Sequence, residues 1–445
     1  MSTDVRPERP PVWAPWREWG PWQRLDPDLR QGIGYCVCVF VGVRLALFAI
    51  GLVGVALLPD FSHVAPSVRG QIPLVPTPVS VPGWPAPGIT PGWHNLFTAW
   101  ERQDALWFLR IATKGYSTTD SSAAFFPFYP LLIRGVSFAV GGHPLAAALL
   151  VSNLSFLGAL LVLFVLTRSE MTHSELTRSD LPQAGLTQAD SPSQMARRAV
   201  LYVSVFPTAL FFFAPYSESL FLLLVLVAFW AARRGLWEAA GVAGMLAALT
   251  RNLGLVLVLP LAIEAIHQSL SIEPRRWPVR GLVWSLGPAV GTFAYLTYWR
   301  VASGDWLAPV HRQASWQRQL TNPIATAGHA TRAAFDFIGV YPGGYHLLDW
   351  LIGVVVVVLG AYAVVRFRPS YAAYVIASVL IPLAAPFPPR PLLSFTRFAL
   401  PIFPIYWALG RLTAGRRPLH EVVVAVSAAL LGLMALLFVN WYYVL

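Results

Sequence analysis

Glu101 and Asp104 stand three residues apart in the segment Trp100–Tyr116, a spacing that puts two carboxylates on one face of a helix. Three more ionisable groups sit at the edges of apolar runs. Glu218 lies in Pro215-Tyr-Ser-Glu-Ser219, Arg251-Asn252 separates two apolar runs, and Arg397 opens another after the proline-rich stretch Pro386–Pro391. Charges at or near membrane depth are costly and are functional candidates by default. A surface carboxylate can take the proton of a hydroxyl, and arginines hold phosphate through forked, charge-assisted hydrogen bonds. Together these groups suit attack by a hydroxyl on a sugar carried by a membrane-lipid phosphate. The leaving group is then a phosphate and needs no protonation by an acid. The same residues also fit plainer readings. Trp, Arg and acids anchor interfacial helices, and Glu218 with Arg251 can be a structural ion pair.

The elements that must position these groups follow from composition. The chain has 445 residues, 56% of them hydrophobic and only 12% charged, with mean hydropathy +0.57. Soluble domains carry about 25% charged residues, so a soluble enzyme, a disordered chain and a fibre are excluded. Trp is abundant, at 18 residues, and Trp collects at membrane–water interfaces. The expectation is an all-α polytopic membrane protein with about eleven spans: 33–58, 145–167, 198–214, 217–232, 236–250, 253–267, 280–301, 346–365, 371–386, 397–412 and 421–442. The runs 236–250 and 253–267 are short enough to form one broken helix. Arg44 interrupts the first span and is expected to face protein or a polar cavity.

The net charge of +11 is read as loop charge that sets topology, not as a nucleic-acid surface. With the N-terminus inside, 19 of the 32 basic residues fall on the cytoplasmic side. That arrangement places Asp104, Glu218, Arg251 and Arg397 at the outer face. Residues 1–32 read as a cytoplasmic tail that can lie on the membrane through Trp13, Trp16, Trp19 and Trp22. Residues 33–445 form one membrane domain. It carries a first outer loop at 59–144, a Ser/Thr/Gln-rich linker at 168–196, and a second outer loop at 302–345 with His311, Arg312, Trp316, Arg318, His329 and Arg332. Cys36 and Cys38 are too close in sequence for an easy disulfide and read as small apolar residues.

In the first outer loop, Trp100–Tyr116 reads as an interfacial helix ended by Lys114-Gly115. Next comes Ala124-Phe-Phe-Pro-Phe-Tyr-Pro130, whose prolines argue against a regular helix before Pro130. The run of Asp104-Ala-Leu-Trp-Phe-Leu-Arg-Ile-Ala, Gly115-Tyr116 and Ala124–Pro130 resembles the PIG-V mannosyltransferase family. Pro215–Phe221, Thr250-Arg-Asn252 and Arg397-Phe-x-Leu-Pro401 fit in order. The family often has Trp just before its loop aspartate, where this chain has Gln103.

The resemblance implies a GT-C-like helical bundle and an active site at the non-cytoplasmic face, with a polyprenyl-phosphate mannose donor. It makes Asp104 the catalytic carboxylate and general base of an inverting transfer that gives an α-linked product from a β-linked donor. On this reading Glu101, Glu218 and Asn252 support the base or face the acceptor, and Arg251 and Arg397 hold the donor phosphate. Trp107, Tyr116, Phe125, Phe126 and Tyr129 shape the site or guide the prenyl chain. No His/Asp/Glu spacing suggests a metal, and no cofactor is expected. The expected partners are the lipid-linked donor, membrane lipids, and a glycan, glycolipid or protein acceptor of a bacterial envelope. Transfer of another sugar such as arabinose or glucose, and lipid or small-molecule transport, remain the alternatives.

Overall fold

Prolines open six of the described helices. Helices start at Pro27, Pro144, Pro192, Pro323, Pro369 and Pro404, where a ring without an N–H satisfies the first turn at no cost in hydrogen bonds. The computed structural model describes residues 26–57, 85, 95–176, 191–270, 277–313, 318–338, 343–440 and 442. The tail up to Leu25 lies outside them, as do the Pro/Gly-rich stretch Gln71–Trp93 save Pro85, the linker core 177–190, and Trp316. The described residues form helices joined by turns, with a single isolated bridge between Phe387 and Arg390.

The helices that matter below are α1 (Pro27–Leu57), α2 (Asp104–Lys114), α3 (Phe128–Ala139), α4 (Pro144–Leu176), α5 (Pro192–Val205), α6 (Glu218–Arg233), α7 (Trp237–Thr250), α8 (Val258–Leu270), α9 (Val279–Ser285), α10 (Gly287–Ser303), α11 (Pro323–Asp336), α12 (Gly343–Arg366), α13 (Pro369–Ala384), α14 (Phe395–Phe398), α15 (Pro404–Thr413) and α16 (Arg417–Val439). Among the described residues, five helical stretches are long and apolar enough to cross a membrane: 27–56, 144–172, 252–270, 345–366 and 417–439. A crossing needs about 20 apolar residues.

The other six expected spans are shorter or broken among the described residues, three of them at prolines. The run 198–214 stops at Val205, ahead of Phe206-Pro207, and resumes as a 3₁₀ turn at Ala209–Phe212. The run 280–301 splits between α9 and α10 at Leu286-Gly-Pro288, and 397–412 splits around Pro401 and Pro404. Proline removes a ladder donor and clashes with the preceding turn. The runs 236–250 and 253–267 are not one broken helix. The chain reverses at Arg251-Asn252, and a 3₁₀ segment at Asn252–Leu257 runs back along α7 before α8 begins.

Helix α6 is the centre of the core, with most of its residues buried against α4 and α7. Helix α5 bridges α4, α1 and α15, while α1 and α16 pack on each other. Breaks at membrane depth leave carbonyls that lipid cannot satisfy, so protein must cap them. Arg44 does so from α1. Its Nε donates to Asn153 Oδ1 at 2.7 Å and its Nη2 to the Phe212 carbonyl at 2.9 Å, while its guanidinium lies over the rings of Phe40 and Phe156. The expectation that Arg44 faces protein holds. Cys36 and Cys38 are both free thiols.

The reversal that presents Arg251 depends on one glycine. A Cβ on Gly254 would lie 2.3 Å from the Ala248 nitrogen and 2.4 Å from the Ala247 carbonyl carbon. Backbone cannot yield as a flexible side chain would, and overpacking of this kind typically costs about 1–3 kcal/mol. Gly254→Ala is therefore expected to lower the thermal unfolding midpoint of the detergent-purified protein. An unchanged midpoint would show that the 3₁₀ segment does not need this contact.

Candidate functional site

Four helix ends meet at one place and bring Asp104, Glu218, Arg251 and Arg397 together. Asp104 is the first residue of α2, and Glu218 is the first of α6. Each carboxylate therefore sits at the positive end of a helix dipole. Arg251 follows the last residue of α7 in extended conformation, at that helix's negative end. Arg397 comes from the single turn α14.

The ion pairs are direct. Arg397 Nη1 donates to Asp104 Oδ2 at 2.6 Å, and Arg397 Nε lies 3.2 Å from Glu218 Oε1. That second contact is ionic but lacks hydrogen-bond geometry, since Arg397 Nε has no hydrogen-bond acceptor. Arg251 Nη1 donates to the same Glu218 oxygen and reaches Ser217 Oγ at 3.3 Å. Glu218 is thus the shared counter-ion of two arginines, and the expected Glu218–Arg251 pair is present. Its side chain is 1% exposed, that of Arg397 8%, and that of Asp104 15%. Asp104 is the most accessible of the three. Breaking one partner of a buried pair typically costs about 3–5 kcal/mol, so the pairs hold four helix ends together whatever else they do.

The backbone around the cluster is held tightly and against its preference. Among the described residues only Gln103 (φ 54°) and Ser394 (φ 68°) have positive φ without being glycine. Gln103 immediately precedes Asp104, and Ser394 precedes α14. Strained backbone of this kind costs of order 1–3 kcal/mol per residue and clusters where surrounding structure over-determines a site. The over-determination is visible. Gln103 Nε2 donates to the Tyr442 carbonyl at 2.9 Å, Arg102 Nε donates to the Val439 carbonyl at 3.1 Å, and Tyr216 Oη donates to the Arg102 carbonyl at 2.9 Å.

Two expectations about the first loop change. Glu101 does not share a helix face with Asp104. The positive φ at Gln103 separates it from α2, which begins only at Asp104. Helix α3 begins at Phe128, ahead of Pro130, because a proline in the first turn forfeits no intrahelical bond. Gly115 caps α2 as expected, with φ 80° and its N–H on the Ile111 carbonyl.

The aromatics form the platform under α2. Trp107 stacks on Phe125 at 5.7 Å, and Phe108 meets Phe125, Tyr129 and Tyr216 edge-on. The Tyr129 and Ser152 hydroxyls are 2.7 Å apart, and Ser152 Oγ donates to the Tyr216 carbonyl. Tyr116 and Tyr295 both donate to the Phe125 carbonyl, and Phe126 packs on Tyr295 at 4.7 Å. All five aromatic candidates are thus packed against protein. Asn252 is exposed, and its Oδ1 accepts from the Leu253 N–H.

Sequence reasoning missed Tyr216, Ser217 and Phe398. The guanidiniums of Arg251, Arg397 and Arg318 lie 5.1, 5.2 and 5.5 Å from the centre of the Phe398 ring. Phe398 belongs to the stretch Arg397–Pro401, but nothing in its letters says that three guanidiniums meet at its ring. Among the described residues no group of three His, Cys, Asp or Glu is arranged to hold a metal ion.

Residues 82–272 match the family model described as Mannosyltransferase (PIG-V). The matched stretch contains Asp104, Glu218 and Arg251, while Arg397 lies beyond it and joins them in space. Comparison with curated proteins and with solved structures found no match. Over this stretch, less than half of the chain, the protein is similar to the PIG-V mannosyltransferase family; the match supports a glycosyltransferase, and with the apolar helices an integral membrane protein.

Tyr216 holds the turn that leads into Asp104, and Tyr216→Phe removes one buried hydrogen bond. Stability should fall by about 1 kcal/mol, seen as a lower unfolding midpoint. An unchanged midpoint would assign the positioning of Arg102 to the C-terminal contacts alone.

Proposed function

We propose that the enzyme transfers mannose from a polyprenyl-phosphate-mannose donor to a hydroxyl of an envelope glycolipid, glycan or protein. The transfer takes place at the extracytoplasmic face of a bacterial plasma membrane, with the N-terminus inside. The observation that carries this reading is the cluster of Asp104, Glu218, Arg251 and Arg397, three of whose members lie within the family-matched stretch. It sets the most accessible of these carboxylates beside cationic groups, which is what a hydroxyl nucleophile and an anionic leaving group need.

In this reaction the acceptor oxygen attacks C1 of the sugar from the side opposite the phosphate. The C1–O bond to phosphate breaks, its electron pair stays on the phosphate oxygen, and the anomeric centre inverts. The acceptor proton goes to Asp104. Arg397 holds Asp104 by Oδ2, so Oδ1 is the oxygen through which the proton is taken. Arg251 and Arg397 bind the phosphate, whose charge grows from about −1 in the diester to about −2 in the monoester, as a second phosphate ionisation near pKa 6 implies. Preorganised cations aimed at developing charge stabilise the transition state more than the ground state. Glu218 keeps the two guanidiniums from repelling each other apart, and the platform under α2 fixes the base.

Asp104→Asn preserves the shape of the side chain and removes its basicity. Transfer from labelled polyprenyl-phosphate mannose should fall by about 10²–10⁴-fold, with donor binding retained. Near-normal transfer would remove Asp104 from the role of base. Arg397→Lys and Arg251→Lys keep a charge but lose the fork, and each should raise the KM for the donor more than that for the acceptor. An unchanged donor KM in both would overturn the phosphate assignment.

A further inference from the structure

Past the far end of α2, the loop that follows it meets α10 and the start of the second outer loop. Tyr116 abuts Trp299 of α10, with ring centres 5.5 Å apart. Tyr295 Oη donates to the Ala123 carbonyl at 2.8 Å, and Arg312 Nη2 donates to the Thr118 carbonyl at 2.5 Å. Among these contacts lies a cavity of about 290 Å³. Its lining includes Trp299 and Ala302 on the apolar side and Thr118, Ser303, Asp305 and Arg312 on the polar side. The lining is held in place. Ser303 Oγ donates to the Trp299 carbonyl at 2.9 Å. Asp305 Oδ1 accepts from the Leu307 N–H at 2.9 Å, and its Oδ2 lies 2.8 Å from His311 Nδ1. After Thr118, Asp120 caps the 3₁₀ turn Ser121–Ala124 and pairs with Arg110 of α2.

Size and chemistry narrow the ligand. Ligand pockets typically hold about 300–1,000 Å³, so this one takes a single compact unit and not a prenyl chain. Its polar groups suit hydroxyls: a carboxylate accepts from them, a guanidinium donates to them, and Thr and Ser do either. Asp305 and Arg312 carry opposite charges, so the lining favours a neutral ligand over an anion. Position narrows it further. At 1.5 Å per residue α2 runs about 15 Å from Asp104 to Lys114, and Thr118 comes after it. A unit seated here cannot also offer its hydroxyl to Asp104. We propose that this pocket holds a neutral sugar unit of the acceptor, remote from the unit that receives mannose, so that the acceptor is an oligosaccharide chain, free or lipid-linked. The inference rests on the function proposed above and selects the glycan among its acceptors.

The test is binding of two probes, methyl α-mannoside and an α-linked mannotetraose, to the full chain in lipid nanodiscs. The tetraose should bind about tenfold tighter, the scale of a hydrogen bond to a charged group. Asp305→Asn removes the carboxylate charge. Ala302→Trp fills the cavity without removing a hydrogen bond, and serves if Asp305→Asn does not fold. Each should bring the tetraose back towards the affinity of the monosaccharide and leave binding of polyprenyl-phosphate mannose unchanged. Equal affinity for the two probes, or a tetraose affinity untouched by both variants, would overturn the pocket. A Ser/Thr-rich peptide of similar length that binds as tightly and is lost in the same variants would overturn the glycan in favour of a polypeptide. None of these readouts needs transfer. A parent protein that does not bind the donor, or transfer that survives Asp104→Asn, would count against the function proposed above and not against the pocket.

Discussion

Two carboxylates and two arginines cannot be withdrawn from water separately. An isolated charge in a low-dielectric setting costs several kcal/mol, and only a close partner with good geometry recovers it. The Glu218 carboxylate, 1% exposed between Arg251 and Arg397, imposes that rule on the whole bundle. Its pairing requires that the start of α6, the end of α7 and the turn α14 converge, and Asp104 adds the start of α2. Helices joined by these pairs cannot slide past one another without stranding a charge. The helix dipoles reinforce the arrangement, since both carboxylates lie at helix N-termini and Arg251 at a C-terminus.

The broken helices follow from the same constraint. An unbroken span would carry its charges past the site, whereas a break lets the chain turn and present a side chain. The reversal at Arg251, tightened by Gly254 against the backbone of α7, serves this purpose, as does the interruption around Pro401 and Pro404. Breaks expose backbone carbonyls, and polar side chains in the core answer them. Arg44 and Asn153 cap the Phe212–Phe213 turn, and Thr208 Oγ1 donates to the Thr396 carbonyl beside Arg397. The interrupting charge in the first span is in this sense a consequence of the break after α5.

Much of this was legible in the residues. Helical class followed from composition. Asp104 stood out through its spacing from Glu101, and Glu218, Arg251 and Arg397 because each borders an apolar run; the Glu218–Arg251 pair could be named as a possibility in advance. Other features were hidden because they belong to three-dimensional proximity or to backbone geometry. The spacing of Glu101 and Asp104 promised a shared face, yet the positive φ of Gln103 withholds it, and nothing in the letters Arg-Gln-Asp announces a left-handed residue. Among the described residues five of the eleven apolar runs form helices of crossing length, and hydropathy does not see the prolines that break three of the others. Tyr216 was only part of a motif until its hydroxyl met the Arg102 carbonyl. Arg318 was one of several loop arginines until its guanidinium met the Phe398 ring beside those of Arg251 and Arg397.

Binding and chemistry make opposing demands on Arg397. It holds Asp104 Oδ2 and also faces Glu218, and the proposed reaction asks it for phosphate contacts too. A guanidinium carries five N–H donors in a fixed fork, of which the bond to Asp104 takes one. In the proposed reaction the remaining edge meets phosphate while Asp104 stays in place, so the proposed base would be oriented by the group proposed to steady the leaving phosphate. A lysine offers three donors from a single rotating nitrogen and cannot fix two partners in one plane. On that proposal the position calls for an arginine, and the two strained residues, Gln103 and Ser394, lie close to the two ends of the single bond between Arg397 and Asp104.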